Sequence, residues 1–357
     1  MASYAPPRDP FELQLVCVAG SVLGVEDVGI RDDLIELGMD EQAAAEIANY
    51  LTPLLGRNAK AEQLLQARKV DLIAQLYREL PWIGMWSSLA ELRRRDGERL
   101  PLICVHPLGG NAFWYLALAR RLRHEQAVYG LHARGLDLAE EVQTQVSEMA
   151  ASYLCDLRRT VPRGPYALLG WSFGGVVAFE MARQLAAAET PVPILAMCDV
   201  GPQDAASTPS SPEAAFALLV HAVQLDAEVG MLMALEPDER LATLHRLALE
   251  RQRLPPGYTV AHLERMLLIN QVHLVAFRDY EFGRYEHDVI LLRAGERDAQ
   301  PSDDPSNEDL GWTGVIDGEV RIYPISGSHF DALSRQNLDG IAHCLAYEHS
   351  AATATMR

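Results

Sequence analysis

The apolar positions change their period near residue 98, and that change divides the chain. Over residues 9–80 the spacing is helical. Phe11, Leu13, Leu15, Val16 and Val18 open an apolar stretch that ends at Gly24. Asp40 is suited to cap a helix over residues 41–55, whose Ile47, Leu51 and Leu55 share one face and which Gly56 would end. Another helix is predicted over 70–80, stopped by Pro81. This is a small all-α bundle with a core too small to stand far alone. Residues 81–97 read as a linker, and residues 1–8 and 350–357 as loose tails. Beyond the linker, short apolar runs at 100–105, 127–131, 166–169, 192–198, 289–292 and 320–325 alternate with helical segments. Such alternation predicts an α/β domain over residues 98–349, with a mostly parallel sheet covered on both faces. Residues 201–285 carry no strand signal. They are amphipathic and helical, broken by turns at Pro209-Ser210-Ser211-Pro212, Glu236-Pro237-Asp238 and Pro255-Pro256-Gly257. An insertion of that kind between two strands is expected to be a lid.

Charge narrows the partners. The formal net charge of −18 argues against nucleic acid, whose phosphates need clustered Lys and Arg. No apolar run reaches the roughly 18 residues of a membrane span. The first nine residues lack the basic and apolar regions of a secretory signal, so a cytoplasmic location is expected. Cys17, Cys104, Cys155, Cys198 and Cys344 are scattered, without CxxC or Cys/His ligand spacing. They read as reduced thiols, and no metal site is expected.

The candidate chemistry lies in Gly170-Trp171-Ser172-Phe173-Gly174-Gly175. Gly-x-Ser-x-Gly alone is a weak signal, but here it follows an apolar strand and opens a helix, as a nucleophile elbow requires. Gly170 and Gly174 leave room where backbone segments must approach closely, and Ser172 is thereby raised above the sheet. The following helix N-terminus favours developing negative charge.

A serine hydroxyl needs a base and an orienting acid. Of eleven histidines, His329 sits in a short loop after a late strand, Gly327-Ser328-His329-Phe330, where the chain order serine, acid, histidine places the base. His106 precedes the serine and reads as loop support. His221, His245, His262 and His273 read as surface or packing residues of the lid. Two acids follow strands: Asp199 after residues 192–198, and Asp298 after residues 289–292. The oxyanion hole is expected from the N–H of Phe173, next to the nucleophile, and that of Leu108 in His106-Pro107-Leu108-Gly109-Gly110.

These pieces resemble the terminal thioesterase domains of nonribosomal peptide and polyketide synthases, members of the α/β-hydrolase superfamily. The resemblance rests on Val105-His106-Pro107-Leu108-Gly109-Gly110, Val128-Tyr129-Gly130-Leu131-His132-Ala133-Arg134-Gly135-Leu136, Gly164-Pro165-Tyr166, residues 170–182 and Gly327-Ser328-His329-Phe330. It implies a Ser172–His329–Asp199 triad, since such domains commonly place the acid after the strand that follows the elbow helix. Related free-standing editing thioesterases often use the later strand, which would be Asp298. It further implies that the acyl or peptidyl chain arrives on the phosphopantetheine arm of a separate carrier protein or synthase module, with no cofactor bound by this chain. Release by hydrolysis, or by cyclisation or transfer, in natural-product biosynthesis is the activity implied. A free-standing editing hydrolase or acyltransferase would share the triad, and a non-catalytic docking scaffold is the reading of another class.

Residues 9–80 resemble the carrier domain that usually precedes such a thioesterase. Asp33-Leu34-Ile35-Glu36-Leu37-Gly38-Met39-Asp40 is similar to the approach to a phosphopantetheine attachment site. The residue that follows is serine in that family and Glu41 here, and Gln42 replaces the usual leucine. Glutamate has no hydroxyl to take the arm, so the resemblance implies a carrier fold that cannot be loaded.

Overall fold

The computed structural model describes residues 4–8, 10–25, 27–55, 57–80, 87–93, 99–122, 126–136, 141–162, 164–254, 258–296 and 308–355. The N-terminal unit holds α1 (Pro10–Leu23), α2 (Glu41–Leu55), α3 (Ala61–Ala67) and α4 (Val70–Glu79). Asp40 caps α2 as predicted, its Oδ1 accepting the Ala43 N–H at 2.9 Å. Gly56, expected to end that helix, lies outside the described residues. The short α3 was not expected: of its residues only Leu64 is buried, which leaves too little periodicity to detect.

Among the described residues seven strands follow: β1 (Leu89–Arg93), β2 (Leu102–Val105), β3 (Val128–Leu131), β4 (Ala167–Trp171), β5 (Ile194–Cys198), β6 (Val289–Ala294) and β7 (Val320–Ile325). Their order is β1-β3-β2-β4-β5-β6-β7, parallel except for β1, which runs antiparallel to β3 at the edge. That strand corrects the reading of residues 81–97 as linker throughout. Leu89, Ala90 and Leu92 are buried, but Glu91 among them and the charged run that begins at Arg93 hide the apolar character. The interior strands are buried along their length, and side-chain alternation divides them. Leu102, Cys104, Leu169, Ala196 and Leu292 face one core, and Ile103, Val105, Leu168, Met197 and Leu291 the other. The second core is closed by α6 (Val146–Thr160) and α7 (Phe173–Ala187). The first is closed by α5 (Leu116–Arg121) and by α13, which runs Arg335–Thr355. Residues 350–355 are therefore helical rather than a loose tail, because Ile341, Cys344 and Leu345 anchor α13 on the sheet and the helix continues from there.

The order and the covering helices make this an α/β-hydrolase fold. The apolar core of α1–α4 is continuous with the first sheet core, and Arg120 of α5 meets Asp27 at 3.1 Å. This shared core lets so small a bundle order itself. Between β5 and β6 lie α8 (Pro202–Ser207), α9 (Pro212–Ala222), α10 (Val229–Met233), α11 (Pro237–Glu250) and α12 (Val260–Arg278). These have a core of their own, in which Phe216, Leu219, Val220 and Val223 of the α9 stretch pack with Leu244, Leu263 and Ile269. Among the described residues no helix is long and apolar enough to cross a membrane.

Candidate active site

Ser172 stands at the turn between β4 and α7 with φ 55° and ψ −135°, a backbone conformation that non-glycine residues rarely adopt. The turn is fixed from several sides. Ser172 N–H donates to Cys198 O at 2.9 Å, and Gly175 N–H donates to Ser172 O at 2.8 Å. A Cβ on Gly170 would lie 2.1 Å from Gly174 O, and one on Gly174 would lie 2.3 Å from Val105 O. Only glycine allows backbones so close, which is the steric content of the motif. Beneath the turn, the buried Tyr115 hydroxyl accepts the Trp171 N–H and donates to Val105 O, both at 2.7 Å. It ties β2 to β4 at the level of the nucleophile. No local signal marks this role, since a tyrosine ten residues past a strand has no motif around it.

His329 follows β7, and its ring reaches back 157 positions: Nε2 lies 3.0 Å from Ser172 Oγ. Its Nδ1 lies 2.8 Å from Asp199 Oδ2. Asp199 is buried at the end of β5, where its Oδ1 accepts the Ala294 N–H at 3.0 Å and its own N–H donates to Leu292 O. Carboxylate, imidazole and hydroxyl thus form one hydrogen-bonded line. Asp298, the other candidate acid, lies outside the described residues.

Phe173 is the first residue of α7, and Leu108 lies in the turn after β2. Among the described residues neither N–H finds an acceptor within the chain. Both are therefore free to receive an anionic oxygen, and the α7 N-terminus adds its partial positive charge. Glu41 is elsewhere, exposed at the start of α2.

Aromatic rings wall the serine and histidine. Trp171 packs on His329 at 5.6 Å and on Trp114 at 5.4 Å, and Phe330 packs on His329 at 5.4 Å. The lid closes this wall with His221, which stacks on Trp114 at 5.7 Å, lies 4.5 Å from Phe330 and holds Asp226 through Nδ1 at 2.6 Å. His221 is thus a packing residue, as its spacing in the segment predicts. Its place at the site comes from the lid's fold, because forty-nine positions separate it from Ser172 and no local pattern links them. His106 is a loop support as expected, its Nδ1 2.9 Å from Pro107 O and its Nε2 2.7 Å from the Tyr153 hydroxyl.

Several of these rings are held neutral. Burial pushes the His106 imidazole down to about 4 and His132, with His106 adding to it, to about 3; His273 also falls well below its ordinary value through burial. In the unfolded chain each would titrate near 6.5. Between about pH 6.5 and 4 the unfolded state therefore binds more protons, so stability present above that window is lost as pH falls through it. Denaturant titrations from pH 7 to pH 4 should show a midpoint that drops steadily. A midpoint unchanged over that range would contradict neutral burial of these rings.

The family described as the thioesterase domain matches residues 100–346. Malpibaldin synthetase of Mortierella alpina is 37% identical over 202 residues, covering 55% of this chain and 4% of that protein. A dimodular nonribosomal peptide synthase of Bacillus subtilis (strain 168) is 35% identical over 218 residues, covering 60% of this chain and 9% of that protein. The chain thus spans less than a tenth of the length of these two relatives. Among solved structures, holo-AB3403, a four-domain nonribosomal peptide synthetase bound to AMP and glycine, superposes with a TM-score of 0.86 at 26% identity, over 97% of this chain and 26% of that one. The Vlm2 thioesterase domain shares the fold, with a TM-score of 0.56 at 23% identity over 72% of this chain and 96% of that one. With the match covering more than half of its length, over the residues that form β2 to β7, the elbow and the histidine loop, the chain belongs to the thioesterase domain family.

Proposed function

We propose that this chain releases an acyl or peptidyl chain from the phosphopantetheine thioester of a carrier protein through an acyl-enzyme on Ser172. The observation that carries the reading is the hydrogen-bonded line from Asp199 through His329 to Ser172. His329 Nε2 takes the hydroxyl proton as Oγ attacks the thioester carbonyl carbon. The C–O bond forms, and the carbonyl oxygen gains negative charge where the Phe173 and Leu108 N–H groups can donate to it. Collapse breaks the C–S bond, and the carrier sulfur leaves with the proton from His329. Water, an amine or a hydroxyl then gives its proton to His329 and takes the acyl group from Ser172. Asp199 holds the imidazole with its proton on Nδ1 and stabilises the imidazolium that forms twice in the cycle. The lid limits competing water, so an internal nucleophile on a long, folded chain can compete through its effective molarity. Incubation with an acyl fluorophosphonate or a thioester mimic, followed by peptide mass spectrometry, tests this: the adduct belongs on the peptide carrying Ser172, and an adduct elsewhere would overturn the assignment.

The carrier-like reading of residues 9–80 extends the proposal. The unit would position an incoming carrier or module rather than carry the chain itself. Its attachment position holds Glu41, an exposed carboxylate with no hydroxyl to accept a phosphopantetheine arm. Incubation with coenzyme A and a promiscuous phosphopantetheinyl transferase should leave the intact mass unchanged. Any gain equal to the phosphopantetheine group would refute the unloaded-carrier reading.

A further inference from the structure

Two buried polar side chains of the lid have no part in the chemistry above. Asn270 and His273 lie on α12, three positions apart and so on one face, and each is 1% exposed. The Asn270 amide donates through Nδ2 to Ala215 O at 3.0 Å, but its Oδ1 has no partner among the described residues. His273 Nδ1 has none either. Leaving a buried polar atom unsatisfied is costly, so two such atoms on one helix face call for a use.

Both face the loop that carries one oxyanion donor and the residue that carries the other. The His273 ring stacks on Phe173 at 4.8 Å and on His106 at 5.2 Å. Asn270 Oδ1 would lie 3.3 Å from a Cβ built on Gly109. That loop has little of its own to hold it. Gly109 and Gly110 have φ of 89° and 78°, and the loop's backbone bonds are Gly110 N–H to Pro107 O at 3.1 Å and Ala133 N–H to Gly110 O at 2.8 Å. The lid helix is the remaining wall.

We propose that Asn270 and His273 are positioning residues for the oxyanion hole: their orphan Oδ1 and Nδ1 accept hydrogen bonds from one shared buried donor, a water molecule, that braces the loop at Leu108 and Gly109 against α12. Both side chains are buried and together supply two unpartnered acceptors, the polar setting that keeps a buried water. Shape at the oxyanion hole is then set by the lid, so lid placement and transition-state stabilisation are coupled.

This proposal rests on the Ser172 thioesterase reading, and the test separates the two. The probes are an acyl N-acetylcysteamine thioester and a trifluoromethyl ketone, which forms a tetrahedral adduct whose oxyanion occupies the same hole. Asn270→Leu and His273→Phe keep volume and, for the latter, the ring stack, while removing the acceptors. A misplacement of this kind should lower kcat by roughly 30-fold, within the ~10²-fold that a 1 Å error can cost. KM should change less than threefold, and trifluoromethyl ketone affinity should fall in step with kcat. His273→Asn, whose Oδ1 falls where Nδ1 was, should recover kcat to within about fivefold of wild type. The opposite ranking, with His273→Phe fully active and His273→Asn impaired, would show that the ring only packs and would overturn the proposal. So would a fall in kcat without a matching loss of ketone affinity. Wild-type protein inactive on thioesters would instead defeat the Ser172 reading.

Discussion

Replacing Ser172 with alanine is expected to lower thioester turnover by roughly 10⁶-fold, the scale on which loss of a triad nucleophile acts. The fold should survive. Ser172 Oγ bonds His329, and the side chain makes no capping bond to α7, so alanine removes no helix cap. The unusual backbone conformation of residue 172 is already imposed by the Cys198 O and Gly175 N–H contacts, which alanine keeps. Oxyanion donors and binding would leave a residual rate of about 10³- to 10⁴-fold over water. Steady-state assay of the variant beside its circular dichroism and thermal midpoint checks this. Full activity in a folded Ser172→Ala protein would remove the serine from the reaction.

Asp199→Asn should cost about 10⁴-fold in kcat, with unchanged structure. The neighbourhood explains why an isosteric change is so damaging. Ala294 N–H donates to Oδ1 at 3.0 Å, so an asparagine keeps its oxygen there and turns its NH₂ toward His329. The imidazole Nδ1 must then accept rather than donate, which moves the proton to Nε2, facing Ser172. That tautomer cannot take the hydroxyl proton. Asp298→Asn should have a far smaller effect, and the reverse ranking of the two variants would transfer the acid to the later strand.

Much of the site was legible because its elements have local signatures. The elbow at 170–175 is a steric motif: a Cβ on Gly170 or Gly174 would lie 2.1 or 2.3 Å from a backbone oxygen, which no other residue can accommodate. Apolar runs bounded by turns gave six of the seven strands, since parallel strands buried on both faces must be apolar throughout. Strand ends placed Ser172 and His329 in order and left Asp199 and Asp298 both open as the acid, and only the family resemblance favoured Asp199. β1 escaped because an edge strand needs only one buried face, and its Glu91 and Arg93 blur the alternation. Which rings the lid histidines pack against was not legible, for a different reason. His221 and His273 sit at helical spacing in an amphipathic segment, which is what surface or packing residues do too. Only the folding of α9 and α12 over the sheet put one against Trp114 and Phe330 and the other against Phe173. Local sterics and periodicity left two strand-end acids open and singled out the nucleophile and the late-loop histidine. Long-range packing alone decided which lid side chains lie buried beside them, because burial next to a distant residue leaves no trace in its sequence neighbours.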